Sequence, residues 1–505
     1  KDNPSSVTRT YRSRFLDTAG AGNLLDWHYY PLAELGISPN ETKSTEYRLD
    51  GELRFQIAKG LSLVGSYQFG NGTADNTLLY DEASFTARDL INQYSQVDYT
   101  NKTVSRVIPL GGVANFNNER YQSYNIRGQL NYARTFGGIH DLNILAGLEQ
   151  REVTINRTSR RAYGYDKETG SEVTVDLFKE FPTFNNQGLR RIPDPYGVSP
   201  MINTTNRFRS YFFAGTYVLL SRYSFSGSVR RDESNLFGVE TNQKGVPLWS
   251  IGGSWNVSNE DFYHISWLPS LRVRATLGYS GNVDNSLSAV ATASSISPNT
   301  FNLPALVLKN PPNPSLRWEK SRILNLGVDF KVIDSRFSGS LEWYSKEGED
   351  LISTSPIDPT TGVAAFTGNT ANMKGYGIDL TLNSVVINGK FRWMSKVILS
   401  YAKDEVTQYN LKLGLLNTLI SGASITPVVG RPLYSVYGYR WAGLDPQNGD
   451  PQGYLNGKES KDYIKLYTSN DVTNARFIGS AKPLFFGSFM NSFEYKRLIL
   501  SVNIT

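Results

Sequence analysis

Apolar and polar residues alternate along most of this chain. From Glu46 to Ile57 one set reads Tyr47, Leu49, Gly51, Leu53, Phe55, Ile57, and the other Glu46, Arg48, Asp50, Glu52, Arg54, Gln56. Successive side chains of an extended strand point to opposite sides, so a period of two predicts a strand with one apolar and one polar face. The pattern recurs at Tyr124–Tyr132, with Arg127 and Gln129 on the polar side, and at Leu271–Tyr279, with Arg272 and Arg274. It recurs again at Phe337–Trp343 against Ser338, Ser340 and Glu342, and at Tyr376–Leu382 against Gly377, Asp379 and Thr381. Fourteen strands are predicted: 46–58, 61–70, 120–135, 142–154, 206–220, 222–233, 246–257, 270–281, 320–332, 335–346, 374–387, 390–403, 483–495 and 497–505. Strands of soluble domains average about five or six residues, whereas a strand of about ten, tilted, crosses a bilayer.

The connections follow a second rhythm. Lys59-Gly60, Gly137–Asp141, Ser221, Ile333–Asp334, Asn388-Gly389 and the 258–269 link are short, and Asn-Gly and Lys-Gly suit tight hairpins. Between those pairs lie the long segments 71–119, 155–205, 282–319, 347–373 and 404–482, with 234–245 shorter. Tight turns at one end and long loops at the other are the habit of an outer-membrane barrel. The polar face carries charges in mid-strand, Arg48, Asp50, Glu52, Arg54, Arg127, Arg272, Arg274, Asp329 and Asp379, together with the neutral amide of Gln129. These are expected to line the lumen. The apolar face is bounded by aromatics, of which Phe69, Trp249, Trp255, Trp343 and Trp393 are expected at the lipid–water interface. A β-sandwich, propeller or solenoid is the soluble alternative.

Composition narrows the chemistry. In 505 residues there is no Cys and only three His (His28, His140, His264), which excludes a disulfide scaffold, a thiolate metal site and a Cys nucleophile. Lys and Arg number 52 against 46 Asp and Glu, and a net charge of +6 is too small at this length to signal nucleic acid. The 30 Tyr, 25 Phe, 8 Trp and 44 Gly favour strands and turns. No run approaches the ~18 apolar residues of a membrane helix, and the first residues carry no apolar leader segment. Catalytic motifs are missing: no G-x-S-x-G, H-E-x-x-H or P-loop occurs, so neither catalysis nor a cofactor is expected. Asp445, Asn448 and Asp450 resemble part of a calcium loop but lack its closing Glu, so a turn is the expected reading. Arg160-Arg161, Arg190-Arg191 and Arg230-Arg231 are basic pairs that, near a barrel rim, would meet lipopolysaccharide.

Longer blocks carry a family resemblance. They are Ile108–Gly112 (IPLGG), Arg127–Glu152 (RGQLNYARTFGGIHDLNILAGLEQRE), Ser228–Gly238 (SVRRDESNLFG), Pro247–Asn282 (from PLWSIGGSW to LGYSGN) and Asn313–Phe330 (NPSLRWEKSRILNLGVDF). Gly339–Ile352, Gly368–Ser384 (GNTANMKGYGIDLTLNS), Tyr437–Tyr454 (YGYRWAGLDPQNGDPQGY) and Ile478–Val502 follow in the same order. The chain resembles the SusC-like TonB-dependent transporters (SusC/RagA family) of the Bacteroidetes outer membrane. That resemblance implies an all-β, transmembrane antiparallel barrel of twenty-two strands with an N-terminal plug. Residues 1–505 would be its middle and later part, with the plug, the TonB box and the closing strands outside this sequence. The implied activity is TonB-dependent import of a bulky nutrient, an oligosaccharide or a peptide, with no bond chemistry. The implied partners are a SusD-like surface lipoprotein, the TonB-ExbB-ExbD complex, outer-membrane lipid or lipopolysaccharide, the cargo, and a second transporter–lid pair. The alternative is a SusC-like barrel that docks a surface assembly and transports nothing.

Overall fold

The computed structural model describes residues 11–184, 188–195, 201–236, 245–284, 287–296, 305–332, 336–363, 365–412, 414–422 and 424–505. Fourteen strands form one antiparallel sheet in chain order. They are β1 (Asn40–Ala58), β2 (Leu61–Tyr80), β3 (Gly112–Phe136), β4 (His140–Tyr165), β5 (Met201–Leu219), β6 (Tyr223–Ser234) and β7 (Gly245–Asn256). There follow β8 (Ser270–Asn282), β9 (Glu319–Val332), β10 (Phe337–Pro356), β11 (Ala365–Asn388), β12 (Phe391–Gln408), β13 (Phe485–Tyr495) and β14 (Leu498–Ile504). Each strand pairs with its sequence neighbours, so the wall is a meander of hairpins. Among the described residues no helix is long and apolar enough to cross a membrane.

The turn chemistry sets this order. At the β1–β2 turn Gly60 has φ +83, and a Cβ there would stand 2.4 Å from the Ala133 carbonyl oxygen. Only glycine both adopts that conformation and lets β3 pass so closely. Gly137 and Gly138 (φ +56 and +71) supply the same left-handed backbone at the β3–β4 turn, with open space around them. The predicted Ile333–Asp334 turn lies outside the described residues.

Several predicted boundaries are corrected. All the predicted strands are present, but many run further at the loop end: β3 and β4 have 25 and 26 residues. Segment 71–119 shrinks to a link of 81–111, 155–205 to 166–200, 282–319 to 283–318, and 404–482 becomes 409–484. Segment 347–373 is mostly ladder, since Gly348 pairs with Met373 and Pro356 with Ala365, leaving only 357–364 as a link. At the loop end polar residues stand on both faces, as at Asn117, Asn118, Thr158 and Ser159, so the backbone ladder continues after the side-chain alternation has stopped.

The loop end carries two folded caps. Residues from Tyr11 to Trp27, with helix α1 (Ser13–Thr18), pack on helix α2 (Phe85–Gln93) of the β2–β3 link, around Trp27, Phe85 and Phe184. Ser84 caps α2 by accepting from the Ala87 N–H at 3.2 Å. The fully buried Asn92 holds Leu25 by two bonds, its Oδ1 accepting at 3.0 Å and its Nδ2 donating at 2.9 Å. Between β12 and β13, helices α3 (Leu416–Ser421) and α4 (Tyr463–Thr468) join two small sheets. Leu416, Leu419 and Tyr437 form the core there.

β1 and β14 are the edges of the sheet: β1 pairs only with β2, β14 only with β13, and every residue of both is exposed. Unpaired backbone N–H and C=O groups cannot remain in a hydrocarbon layer.

Leu341 stands in the middle of the apolar face, between Val328 and Leu380, while Ser340 sits one residue away on the other face between Asp329 and Thr381. In the full-length protein, Leu341→Arg is expected to cost roughly 2–4 kcal/mol of folding stability in liposomes, the range for a cation at mid-bilayer. Ser340→Arg, which gains Asp329 as a partner, is expected to cost under about 1 kcal/mol. Urea unfolding of both variants, followed by Trp fluorescence, checks the contrast.

Candidate functional site: a two-faced wall and its loop end

Directly paired residues of an antiparallel ladder share a face. The register therefore assigns a side to every residue of the wall. Glu52 lies opposite Ser66, Ser66 opposite Arg127, and Arg127 opposite Glu149. Asn143, Thr216, Ser226, Gly252 and Thr276 carry the same face from β4 to β8. Arg272 is then opposite Asp329, and Glu342 opposite Asp379. All ten residues expected on the polar wall (Arg48, Asp50, Glu52, Arg54, Arg127, Gln129, Arg272, Arg274, Asp329, Asp379) fall on this one face. The register irregularities lie towards the ends of the ladders. Phe69, Trp249, Trp255, Trp343 and Trp393 all fall on the other face.

The second face carries an open apolar band that gives way to charged residues towards the loops. Leu53 is 83% exposed, Leu148 54% and Ile251 56%. Fourteen strands at ~4.8 Å spacing make a band about 65 Å wide, well over 1,000 Å², against roughly 300–600 Å² for the largest patch of a soluble monomer. Its rings cluster at two levels. Trp255, Phe391, Trp393 and Phe493 lie near the short turns, with Trp393 and Phe493 centroids 5.6 Å apart. Trp249 and Tyr279 (5.4 Å), Tyr376 and Tyr401 (6.1 Å), and Phe485 lie towards the loops. Trp393 to Tyr401 is eight residues of β12, which at ~3.3 Å each and ~40° tilt is about 20 Å of membrane depth.

The tilt is visible in the chemistry of a single hydrogen-bonded row. Phe55, Leu63, Leu130, Ala146, Phe213, Val229, Trp249, Tyr279, Arg322, Glu347, Lys374 and Glu405 are successive cross-strand partners. The row starts in the apolar band and ends in ion pairs such as Lys374–Glu405 at 3.6 Å, so it climbs out of the membrane as it crosses the wall.

On the polar face, charges meet across strands. Arg274 reaches Asp329 at 3.2 Å and also Glu342, two strands away from its own. It passes over Gly327, where a Cβ would lie 2.8 Å from its Cζ. Two carboxylates thus share one guanidinium, and Asp379 stands opposite Glu342 on the next strand. Nearer the first strands, Arg127 and Arg230 lie over the Phe212 ring, at 4.8 and 5.9 Å from its centroid, and Phe212 itself covers Gly147. Glu342, Phe212, Arg230 and Gly327 were not among the expected wall residues. The alternation placed Glu342 on the correct side, but only the register brings it to Arg274. A cavity of about 470 Å³ opens just below the loops, lined by Ser280, Glu319, Tyr344, Lys346 and Asp404 of this face.

The β12–β13 cap offers a second recess of about 300 Å³, between Tyr439, Trp441, Pro451, Tyr463 and Tyr467. Trp441 is 64% exposed. Asp445, Asn448 and Asp450 do meet in one turn of this cap, but an internal cation already sits there. Lys461 Nζ is 2.5 Å from Asp445 Oδ2 and 3.4 Å from Asp450 Oδ2, and Asn448 Nδ2 donates to Asp450 at 2.7 Å. Among the described residues no cluster of three or more acidic, His or Cys groups is placed to hold a metal. His140 Nδ1 bonds the Tyr217 hydroxyl at 2.7 Å, and His28 contacts Asp17 and Asp26.

The sequence matches the family described as TonB dependent receptor-like, beta-barrel, over residues 2–481. It is similar to TonB-dependent receptor P3 of Formosa agariphila, with 23% identity over 493 residues, 94% of this chain and 45% of that protein. It is similar to TonB-dependent receptor SusC of Bacteroides thetaiotaomicron, with 24% identity over 81% of this chain and 38% of that protein. The chain thus spans less than half the length of these curated relatives. Among solved structures, the RagAB peptide transporter shares the fold with a TM-score of 0.68, at 20% identity, over 92% of this chain and 48% of that one.

The Lys461 ammonium and the Gln447 N–H hold the Asp445 carboxyl below its ordinary value of 3.8. A depressed carboxyl contributes stability that is complete above its unfolded pKa and lost as pH falls through the folded one. Below about pH 4 the 441–461 hairpins are therefore expected to loosen, and Lys461→Met is expected to shrink that acid step to what the backbone N–H bonds supply. Amide hydrogen exchange of the 441–461 segment between pH 6 and pH 3 checks both expectations.

Proposed function

The chain belongs to the TonB-dependent receptor-like β-barrel family as a SusC-like member of the outer membrane, and on that premise we propose that it forms much of the wall of a TonB-dependent importer of bulky nutrients. Its fourteen strands are the middle and later part of the barrel. An N-terminal plug, a TonB-interacting segment and the strands that pair with β1 and β14 belong to the remainder of the protein. The polar face is the lumen and the long connections face outward from the cell. The family comprises receptors and transporters, and the wall's part in import is non-covalent: it positions cargo and shields it from lipid.

One observation carries the reading. The register sorts mid-strand charges to one face and an exposed apolar band to the other. A charged face opposite lipid has a use only where it lines an aqueous path or meets a plug. Cargo meets the wall first at the loop end, where the Trp441 recess and the cavity above Tyr344 lie. Flat Trp and Tyr faces stack on sugar rings or on peptide side chains. The SusC and RagAB likenesses support a SusD-like lipoprotein as lid and an oligosaccharide or peptide as cargo. TonB, through ExbB and ExbD, supplies the work that moves the plug.

Deletion of the gene encoding the full-length protein is expected to abolish uptake of one labelled class, oligosaccharides or peptides. Deletion of TonB or collapse of the proton gradient is expected to do the same. Uptake that persists without TonB would replace this reading with a passive pore. A deletion that spares every uptake yet breaks up a surface complex would replace it with a docking subunit. In the restored strain, Trp441→Ala is expected to weaken cargo binding about three- to tenfold, the loss of one aromatic stack.

A further inference from the structure

We propose that Arg207, Arg209 and Arg231 form a binding site for the phosphate of an outer-leaflet glycolipid whose acyl chains lie on the apolar wall beneath them. The inference rests on the outer-membrane placement above, with the long loops outside. Arg207 and Arg209 stand two residues apart on β5, and on β6 Arg231 lies opposite Tyr211 while Glu233 lies opposite Arg209. Phe213 and Tyr211 continue the same face of β5 towards the membrane, so all three arginines point outward. Arg209 lies within roughly 7–8 Å of each of the others, two residues from Arg207 on its own strand and diagonal to Arg231 across the ladder, while Arg207 and Arg231 flank it on either side, so long side chains reaching inward from both can meet over Arg209 on one phosphate.

The charge of the patch is unbalanced. Arg207 Nε pairs with Glu152 at 2.5 Å and Arg231 with Glu233 at 3.1 Å. Arg209 is exposed and has no ion pair among the described residues. Three cations therefore face two carboxylates, and each guanidinium offers five N–H donors, more than one carboxylate accepts. Phosphate matches that surplus through bidentate, charge-assisted bonds.

The level selects a lipid over a free anion. Tyr124, whose neighbour across the ladder is Glu152, belongs to the upper ring level, and the arginines sit at or just above it. Immediately below, Leu148, Tyr211, Phe213 and Val229 are between 46% and 54% exposed. Phosphate at the top and acyl chains along those residues is the geometry of an amphiphile standing in the outer leaflet. At the other end of the wall Arg222, beside the β5–β6 turn, is held instead by both Glu260 (3.0 Å) and Asp261 (2.8 Å).

The test is native mass spectrometry of the detergent-purified full-length protein with added phosphorylated lipid A. Heat-modifiable gel mobility confirms that each variant is folded. A one-to-one adduct is expected, and the triple variant Arg207→Gln/Arg209→Gln/Arg231→Gln is expected to weaken it at least about tenfold, by loss of the charge-assisted bonds. Lys458→Gln, on the β12–β13 cap, is expected to leave it unchanged. Glu152→Gln, which frees Arg207, is expected to tighten it. An adduct unaffected by the triple variant overturns the proposal. So does equal binding of dephosphorylated lipid A, which would mean acyl contact alone, or full competition by inorganic phosphate, which would mean a generic anion site. Lipid capture is read without transport, so its failure leaves the import reading standing, and the converse also holds.

Discussion

Everything in this wall follows from the cost of an unpaired backbone amide in hydrocarbon. A segment crossing lipid must satisfy every N–H and C=O group within the protein, and a sheet does so only by pairing each strand on both sides. Once strand pairs with strand, parity is inherited across the whole sheet, because opposite residues share a face. Glu52 at the first edge and Asp379 ten strands later are on the same side for that reason alone. The charged path and the lipid-facing band are thus two aspects of one ladder, and neither can be edited without the other.

That inheritance explains why so much was legible in the chain. An apolar–polar alternation such as Tyr47 to Gln56 arises only when one face meets oil and the other water. Fourteen strands, their faces and the placement of their turns could be read directly from it. The upper reaches of β3, β4, β10 and β11 were not legible, because alternation is a record of two different solvents and above the headgroups there is only one. Asn117, Asn118 and Thr158 belong to the ladder with nothing in their polarity to say so.

The polar face was legible as a side but not as a set of contacts. Arg274, Asp329 and Glu342 are scattered over 68 positions of sequence and meet because β8, β9 and β10 are adjacent and in a particular register. Gly327, between them on β9, leaves room for the guanidinium passing overhead. The Asp445 turn was legible as a turn but not as a contact, for a similar reason. Its local spacing suits a cation, and the cation it holds is Lys461, supplied from a neighbouring hairpin.

The climbing row from Phe55 to Glu405 also bears on how such a wall is assembled. Because a hydrogen-bonded row crosses membrane levels, each strand has one depth at which its own aromatic and charged residues are all comfortable. A hairpin slipped by two residues would keep its faces correct and all its backbone bonds but one or two. It would nonetheless sink Arg322 towards the lipid interior or lift Trp249 into the headgroups. Parity alone cannot detect that error, whereas depth can. The bilayer therefore acts as a gauge during insertion, fixing the stagger of successive hairpins and, through the stagger, the girth of the finished barrel.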